Sequence, residues 1–374
     1  MYAIPNTVNY DGKELAKMKA EGLAPKEELE VLRNRAEDYL KKPTLAVVYR
    51  KLTAPTGDKH DYMSMGPYWW PNPDTPDGLP YVRHDGKYNP EVRDANSYGD
   101  MSTRAHTLAL AAYYFDNAEY AKKACEVLYD WHVNPETKMN PHANFAQSIP
   151  GICQGRGIGL IEFAGSSNVF NAVAILRCMD AMDDELYNGM QGWYNDFINW
   201  MITSEIGLAE DVYFNNHGSW YDVQVLAAAI FLDRPVLAKR VYTLAYARRH
   251  KTQVTAKGEQ PHELARTKAL CYSVYNLNAL TAIAVMAKKL GCTTYVEKDA
   301  EWGVNLITAA ADFLLPYATD PDSFPYPEMT PAHGAQSLIG ALNTIDGLFP
   351  EKGYGEIVKA NSTPDMLLNV RPSV

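Results

Sequence analysis

Apolar residues recur along most of this chain at the three- and four-residue spacing of an amphipathic α-helix. Ten segments carry the pattern over a helical length: 26–41, 101–116, 118–132, 157–182, 190–205, 217–232, 235–248, 264–290, 298–316 and 334–347. Segments that alternate polar and apolar residues are absent, and so is a fixed-period repeat. Successive helices joined by loops predict an all-α fold of antiparallel helix pairs.

Two long segments lack the helical pattern. Residues 53–100 are rich in Pro, Gly, Tyr and Trp and exceed the usual length of a connection, whereas residues 249–263 are shorter and polar. Long ordered loops tend to line or cover a functional site. No linker composition divides the chain, so we expect one domain over residues 1–374.

Composition and charge narrow the classes of function. The chain has 374 residues, 47% hydrophobic and 21% charged, which is typical of a folded protein with a sizeable core. A net charge of −10 argues against a nucleic-acid partner but only weakly against another polyanion, because a cleft can be locally positive. No apolar run approaches the roughly 18 residues of a membrane span.

The five cysteines form no CxxC pair, which favours free thiols and gives no sign of a thiolate metal site. The opening residues 1–7 have neither the basic nor the apolar region of a signal peptide. The chain also lacks a Gly-rich phosphate loop, a GxSxG elbow and an HExxH pair. A pair of carboxylates that meet only in space stays open, as in a glycoside hydrolase.

The stretch 215–222, "NNHGSWYD", opens a predicted core helix with polar and aromatic side chains. Helical spacing puts one set on a single face: His217, Trp220, Tyr221 and Gln224. Asparagine caps helices well, which accounts for one of Asn215 and Asn216 but hardly for both. A lone histidine on a helix is more often structural than catalytic, so the neighbouring residues decide its interpretation.

A second polar and aromatic patch opens the helix predicted at 264–290, in "ELARTKALCYSVYNLNAL". Tyr272, Tyr275 and Asn276 share a face of that helix. Arg266 does not share this face in a continuous helix, and a turn that precedes the helix would account for it. Each tyrosine taken singly is more often a core residue.

The long loop contains "YWWPNP", with Tyr68, Trp69 and Trp70 adjacent. Aromatic faces against sugar rings form a common carbohydrate platform, and anchoring of the loop by large apolar rings is the alternative. Farther on, "MNPHANFAQSIPGICQGRGIGLIEF" threads Asn144, Gln147 and Arg156 through a Gly/Pro turn into a helix. Arg156 could bind a carboxylate with both arms, or form a structural ion pair with Glu162.

Taken together, "NNHGSWYD" and "ELARTKALCYSVYNL" some fifty residues later resemble the alginate lyase superfamily. "SMGPYWWPNP" and "MNPHANFAQSIPGI…GRGIGLIE" are similar to its N-terminal half, so the resemblance covers roughly residues 60–350. It is nearest to polysaccharide lyase family 38, which includes alginate and glucuronan lyases. The resemblance implies an (α/α) toroid, expected as (α/α)7, and the cleavage of uronate polymers by β-elimination.

The resemblance also implies a set of site residues. The family positions fall on Asn216, His217, Trp220, Arg266, Tyr272 and Tyr275. The distance from Arg266 to Tyr272 is one residue shorter than in the mannuronate lyases of family 5, so Arg266 is placed less securely than His217. The remaining expected contacts to substrate are Asn215, Tyr221, Gln224, Arg156, Gln147, Asn144, Trp69, Trp70, Tyr68 and Arg83.

Elimination requires three tasks: neutralising the C5 carboxylate, removing the C5 proton and protonating the C4 oxygen that leaves. Asn216 suits the first. Tyr272, made more acidic by Arg266, could perform both proton transfers on mannuronate, where hydrogen and oxygen lie on the same side. His217 could take the proton from guluronate or glucuronate, where they lie on opposite sides. This chemistry requires no metal or organic cofactor.

Other hypotheses give different observations. A glucuronan lyase would act on another uronate polymer, and an (α/α)-barrel hydrolase would use two acidic residues and form no C4–C5 double bond. A carbohydrate-binding protein that used Trp69 and Trp70 would show no turnover. For a lyase we expect an anionic polysaccharide partner and a periplasmic or secreted location, with any signal peptide absent from this chain.

Overall fold

The computed structural model describes residues 4–372, and the contacts within it group the chain into two compact units. One unit comprises the described residues through Asn34 together with those from Tyr213 onward, and the other is Arg35–Val212. The sequence showed no linker composition at Val212. The single domain over 1–374 stays a prediction.

Helices dominate the described residues. The α-helices are α1 Gly12–Glu21, α2 Lys26–Lys41, α3 Tyr98–Phe115, α4 Ala118–His132, α5 Ser166–Cys178, α6 Asp184–Thr203, α7 Glu205–Asp211, α8 Asn216–Phe231, α9 Pro235–Ala245, α10 Lys251–Gln253, α11 Pro261–Leu264, α12 Ala269–Lys289, α13 Leu306–Leu314, α14 Pro331–Leu348 and α15 Tyr354–Asn361. The strands are β1 Met63–Met65, β2 Trp69–Trp70, β3 Val82–Arg83 and β4 Phe145–Ser148. The prediction of an all-α fold is confirmed.

In the unit that begins again at Tyr213, α8 packs against α9 and α12, and α12 packs against α14. The run "VLAAAIFL" of α8 supplies the core, with Val225, Leu226 and Ala227 at most 2% exposed. Only three residues join α8 to α9, so these two helices run antiparallel. His250 is buried nearby, with Nε2 3.1 Å from the Leu280 carbonyl oxygen.

In the unit Arg35–Val212, α3 packs against α4 and α5, and α4 against α6. A buried hydrogen-bonded chain links Ser166, Tyr98, Tyr194 and His132, with the Tyr98 and Tyr194 hydroxyls 2.6 Å apart. Burial holds the pKa of His132 at about 4. The neutral imidazole is therefore part of this core.

The long segment 53–100 is ordered around short strands. β1 pairs in parallel with β4, and β2 pairs antiparallel with β3. These pairings satisfy part of the backbone of a segment that has no helical periodicity. The pairing of β1 with β4 also brings the tryptophan loop beside the segment that carries Gln147.

Several boundaries differ from the sequence predictions. Residues 157–163 form a 3₁₀-helix before α5, and residues 298–305 form turns rather than the start of a helix. The segment expected to be irregular from 249 begins inside a π-helix, Tyr246–His250, which runs on into α10. α1, α7 and α15 were not predicted. Their burial is confined to few residues, which leaves a weak apolar periodicity.

Two helical segments, Gly157–Cys178 and Ala269–Lys289, are long and apolar enough to cross a membrane by length and composition. The sequence expectation that no run approaches that length is corrected here. Their apolar windows are 61% and 72% buried within the protein, as core helices are. Their apolar character is therefore accounted for by packing within the protein.

Candidate active site

The start of α8 is fixed by two different acceptors. The Asn215 side chain caps the helix, with Oδ1 accepting from the His217 backbone N–H at 3.1 Å. The next residue is held by Glu263, whose two carboxylate oxygens accept from Asn216 N at 2.6 Å and from Asn216 Nδ2 at 2.8 Å. The two asparagines therefore have different roles, and only Asn215 acts as a cap.

Gly218 allows a buried arginine to cross the first turn of α8. Arg249 Nε donates to Asp222 Oδ2 at 2.7 Å and Nη1 donates to the Tyr213 carbonyl oxygen at 2.8 Å. A Cβ on Gly218 would lie 2.8 Å from Arg249 Cζ and nearer still to Nη1 and to the Tyr213 oxygen. The glycine in "NNHGSW" is thus required by packing at this turn.

The aromatic side chains of α8 meet the neighbouring elements. The half-buried His217 ring lies 5.5 Å from the Tyr213 ring, and Trp220 packs on Tyr275 of α12 with centroids 4.9 Å apart. The Trp220 contact brings together two patches that are fifty residues apart in sequence. Tyr221 is only 4% exposed, which leaves little of its surface for a ligand.

Gln224 lies two turns into α8 and is 2% exposed. Its Nε2 donates to the Trp220 carbonyl oxygen at 3.2 Å, whereas Oε1 is buried without a hydrogen-bond partner among residues 4–372. The indole Nε1 of Trp220 is in the same condition. Buried polar atoms are usually satisfied, so these two mark a place where a polar ligand or water would bind.

Arg266 lies in the turn between α11 and α12, as the sequence suggested, and its guanidinium carbon is 4.0 Å from the centroid of the Tyr272 ring. Its backbone N–H donates to the Glu263 carbonyl oxygen at 3.0 Å. A cation over a tyrosine ring stabilises negative charge on that ring and its oxygen. Arg266 and Tyr272 therefore form a unit despite the shortened spacing.

The first turn of α12 is held by Glu328, which lies just before α14. Glu328 Oε2 accepts from the Cys271 backbone N–H at 3.0 Å, and Oε1 accepts from Thr330 N at 2.7 Å. A carboxylate at a helix N-terminus satisfies a free N–H and complements the helix dipole. Because Tyr272 follows Cys271 directly, this cap positions the tyrosine.

Below these residues α11 and α12 share a neutral polar network. Gln260 Nε2 donates to the Ser273 carbonyl oxygen at 2.9 Å, and Gln260 Oε1 accepts from Asn276 Nδ2 at 2.8 Å. Asn276, on the predicted face with Tyr272, is fully buried and serves this network. The network fixes the position of α11, which carries Glu263.

In the unit Arg35–Val212, Arg156 lies between Gln147 and Trp69. Arg156 Nε donates to the Gln147 carbonyl oxygen at 3.1 Å and Nη2 to Gln147 Oε1 at 2.9 Å, while its guanidinium carbon is 5.8 Å from the Trp69 ring. Gln147 has a φ of 49°, an uncommon conformation for a residue other than glycine. A Cβ on Gly66 would lie 2.6 Å from Trp69 and 2.9 Å from Arg156, so this approach needs glycine.

Glu162, the expected ion-pair partner of Arg156, is bound mainly by hydroxyl groups. Its Oε2 accepts from Tyr62 at 2.7 Å and from Ser64 at 2.6 Å. Burial raises the pKa of Glu162, and these hydroxyls together with the charges of Arg50 and Arg156 act in the opposite direction. Arg156 therefore acts on Glu162 through its charge, while Gln147 fixes its orientation.

The other residues expected in this unit have distinct surroundings. Trp70 Nε1 donates to the Lys87 carbonyl oxygen at 3.1 Å, and Asn144 Oδ1 accepts from Trp200 at 3.1 Å. Arg83 is exposed and pairs with Asp85 at 2.6 Å, so its charge is already matched at the surface. Tyr68 is half-buried, and its carbonyl oxygen accepts from His84 N.

Sequence reasoning missed Glu263, Arg249 and Glu328. The first stands in the quoted motif three residues before Arg266, but a lone Glu near a helix start reads as a surface residue. The other two fell in a segment expected to be irregular and in a short loop before a helix. Among residues 4–372, no group of three or more His, Cys, Asp or Glu side chains is placed to hold a metal ion.

Comparison with known proteins gives consistent likenesses. The family model described as alginate lyase matches residues 48–324. A crystal structure of an alginate lyase from Bacteroides ovatus is 36% identical, with a TM-score of 0.92, over 98% of this chain and 99% of its own. No curated protein matches the chain significantly.

More distant likenesses are to the alginate lyase A1-III. The enzyme from Sphingomonas species A1 is 16% identical, with a TM-score of 0.58, over 91% of this chain and 95% of its own. A variant of A1-III complexed with a tetrasaccharide is also 16% identical, with a TM-score of 0.64, over 99% of this chain and 98% of its own. At that identity the likeness shows the fold alone.

Proposed function

Because the chain belongs to the alginate lyase family, we propose that it cleaves alginate by β-elimination at C4–C5 of a uronate, with Tyr272 as the central catalytic residue. The observation that carries this assignment is the pairing of Arg266 with the Tyr272 ring at 4.0 Å. Trp220 against Tyr275 and Glu263 against Asn216 join the same residues to α8.

In this mechanism Tyr272 takes the C5 proton of mannuronate and returns a proton to the departing C4 oxygen. Arg266 stabilises the negative charge that forms on the phenol oxygen. Asn216 donates to the C5 carboxylate, where charge grows in the transition state. His217 provides the opposite-side base for guluronate, and the ring pair of Trp220 and Tyr275 offers an apolar face to a sugar.

Arg156 and Trp69 are proposed as a second part of the substrate contact, within the unit Arg35–Val212. A guanidinium held by Gln147 has donors in a fixed fork, which suits a uronate carboxylate. We assign Trp70 and Asn144 to support of this patch, because their polar atoms bind Lys87 and Trp200.

The test is an absorbance screen for the unsaturated product across mannuronate-rich and guluronate-rich alginate, glucuronan, hyaluronan and pectin. Tyr272→Phe keeps the ring and removes the hydroxyl, so activity should fall by at least about 10³-fold with little loss of stability. Tyr317→Phe is the matched control, because that tyrosine packs on Phe324 outside the proposed site.

Retention by Tyr272→Phe of more than a tenth of the wild-type rate on every substrate would remove Tyr272 from its role. Reducing ends released without an unsaturated product would identify a hydrolase instead. Unsaturated product from glucuronan alone would keep the β-elimination and replace alginate as the polymer.

We also propose a periplasmic or secreted location, because the polymer is too large to cross a membrane unaided. This location is independent of the catalytic assignment. Fractionation of producing cells, with activity measured in each fraction, tests it, and activity confined to the cytoplasm would contradict it.

A further inference from the structure

Glu263 is a buried carboxylate that binds only one residue through its oxygens. It is 1% exposed, and both of its oxygens accept from Asn216, at 2.6 Å from N and 2.8 Å from Nδ2. Among residues 4–372 it forms no ion pair. A buried carboxylate without a cationic partner is costly to keep ionised.

Directly beside it is an acceptor that lacks a donor. Asn216 is also 1% exposed, and its Oδ1 is buried without a hydrogen-bond partner among the described residues. An unsatisfied buried acceptor has lost its water and gained nothing in exchange. One proton on Glu263 removes both difficulties, since a carboxylic acid can donate to that oxygen.

We propose that Glu263 holds a proton when a uronate carboxylate occupies the site, and that its O–H then donates to Asn216 Oδ1. The Asn216 amide turns by half a rotation, its backbone N–H still donates to the other Glu263 oxygen, and both Nδ2 hydrogens face the substrate. The proton comes from solvent on binding and returns on release. This inference rests on the proposed function.

The electrostatics of the pair agree with this geometry. Burial raises the pKa of Glu263, while the Asn216 hydrogen bonds and the charges of Arg266 and His217 lower it. α12 meets α11 through neutral groups, Gln260 and Ser273. A substrate carboxylate at Asn216 adds a second negative charge, which raises the proton affinity of Glu263 further.

The consequence for catalysis is a neutral support behind the amide. An ionised Glu263 would attract one amide hydrogen away from the substrate and repel the charge that grows on the C5 carboxylate. A protonated Glu263 leaves two donors for that charge. Glu263 is therefore a positioning residue that acts through Asn216.

Proton uptake on binding is the direct measurement. Tyr272→Phe is titrated calorimetrically with an oligomannuronate that wild-type enzyme cleaves, at neutral and mildly alkaline pH, in buffers of different ionisation enthalpy. We expect net uptake of up to one proton per site. Glu263→Gln in the same background should bind without it, whereas His217→Gln in that background should retain it, because His217 is the other group able to gain a proton.

Kinetics of single variants give an independent readout. Glu263→Gln presents an Nε2 donor to Asn216 Oδ1 and an Oε1 acceptor to the Asn216 N–H, as protonated Glu263 does. Its kcat/KM should stay within about threefold of wild type, with a KM that no longer rises at alkaline pH, while Glu263→Ala loses activity at every pH.

Binding without proton uptake in Tyr272→Phe, or uptake that persists after Glu263→Gln, overturns the inference. So does a Glu263→Gln variant that is as inactive as Glu263→Ala, since the ionised form would then be needed. These results leave the lyase assignment intact. Failure of the wild-type enzyme to form unsaturated product from any uronate polymer removes the proposed function, and this inference with it.

Discussion

Gly218→Ala is the sharpest test of how the start of α8 is built. The added methyl would lie 2.8 Å from Arg249 Cζ and closer to Nη1 and to the Tyr213 carbonyl oxygen, distances at which something must move. The Tyr213 oxygen is backbone, so the guanidinium has to move away. Its bond to Asp222 at 2.7 Å would then break inside the protein, with side chains 3% and 6% exposed.

The magnitude follows from these two effects. Overpacking costs about 1–3 kcal/mol, and separating a buried ion pair costs about 3–5 kcal/mol. Because either response relieves the other, we expect a total of about 3–5 kcal/mol. Unfolding entropy of about 2.1 cal/mol/K per residue over 374 residues converts this to a fall in Tm of about 4–6 °C.

The assay compares Gly218→Ala with Gly192→Ala by thermal melting and by initial rate. Gly192 lies within α6, and a Cβ there would meet nothing within 4 Å, so alanine should leave Tm unchanged or raise it slightly. The rate should fall only in Gly218→Ala, because His217 and Asn216 are displaced with the turn. A Gly218→Ala protein with wild-type Tm and rate would refute this account of the turn.

Three further predictions use other parts of the molecule. His217→Ala should lower the rate on guluronate-rich polymer more than on mannuronate-rich polymer, and equal losses would assign His217 a shared role. Arg156→Ala should mainly raise KM whereas Arg266→Ala should also lower kcat; an Arg156→Ala protein with lower Tm and unchanged KM would contradict the binding role. The pKa values of His132 and His250 are lowered to about 4 by burial, so their stabilising effect is present above about pH 6.5 and is lost as pH falls towards 4. Each shift corresponds to at most about 3 kcal/mol, and thermal melting between pH 7 and 4 should show a loss that His132→Gln reduces.

Helix positions followed well from apolar periodicity where a helix has one buried face. α2 and α4 begin and end as predicted, since Asn117 caps α4 and a clear apolar stripe follows. Periodicity failed at α12, predicted to start at 264, because a strand-like bridge between Lys268 and Glu328 interrupts the helix there. That bridge depends on a residue sixty positions away, which no local pattern reveals.

The candidate site divides in the same way. Resemblance and helical spacing pointed to His217, Tyr272 and Arg266, and the structure brings Arg266 against Tyr272. The partner of Asn216 could not be predicted, because a buried glutamate is recognisable only from what surrounds it in three dimensions. Spacing on one face also overstated the exposure of Tyr221, since neighbours rather than periodicity decide which part of a helix face reaches solvent.

The carboxylate that caps α12 has a consequence for exchanging parts between related enzymes. Glu328 lies just beyond residue 324, where the match to the family model ends. A chimaera that transplanted residues 48–324 alone would carry Tyr272 but leave the Cys271 N–H to whatever residue the recipient offers. The heritable unit of this active site therefore extends at least through Thr330, and a graft cut shorter inherits the tyrosine without the residue that aims it.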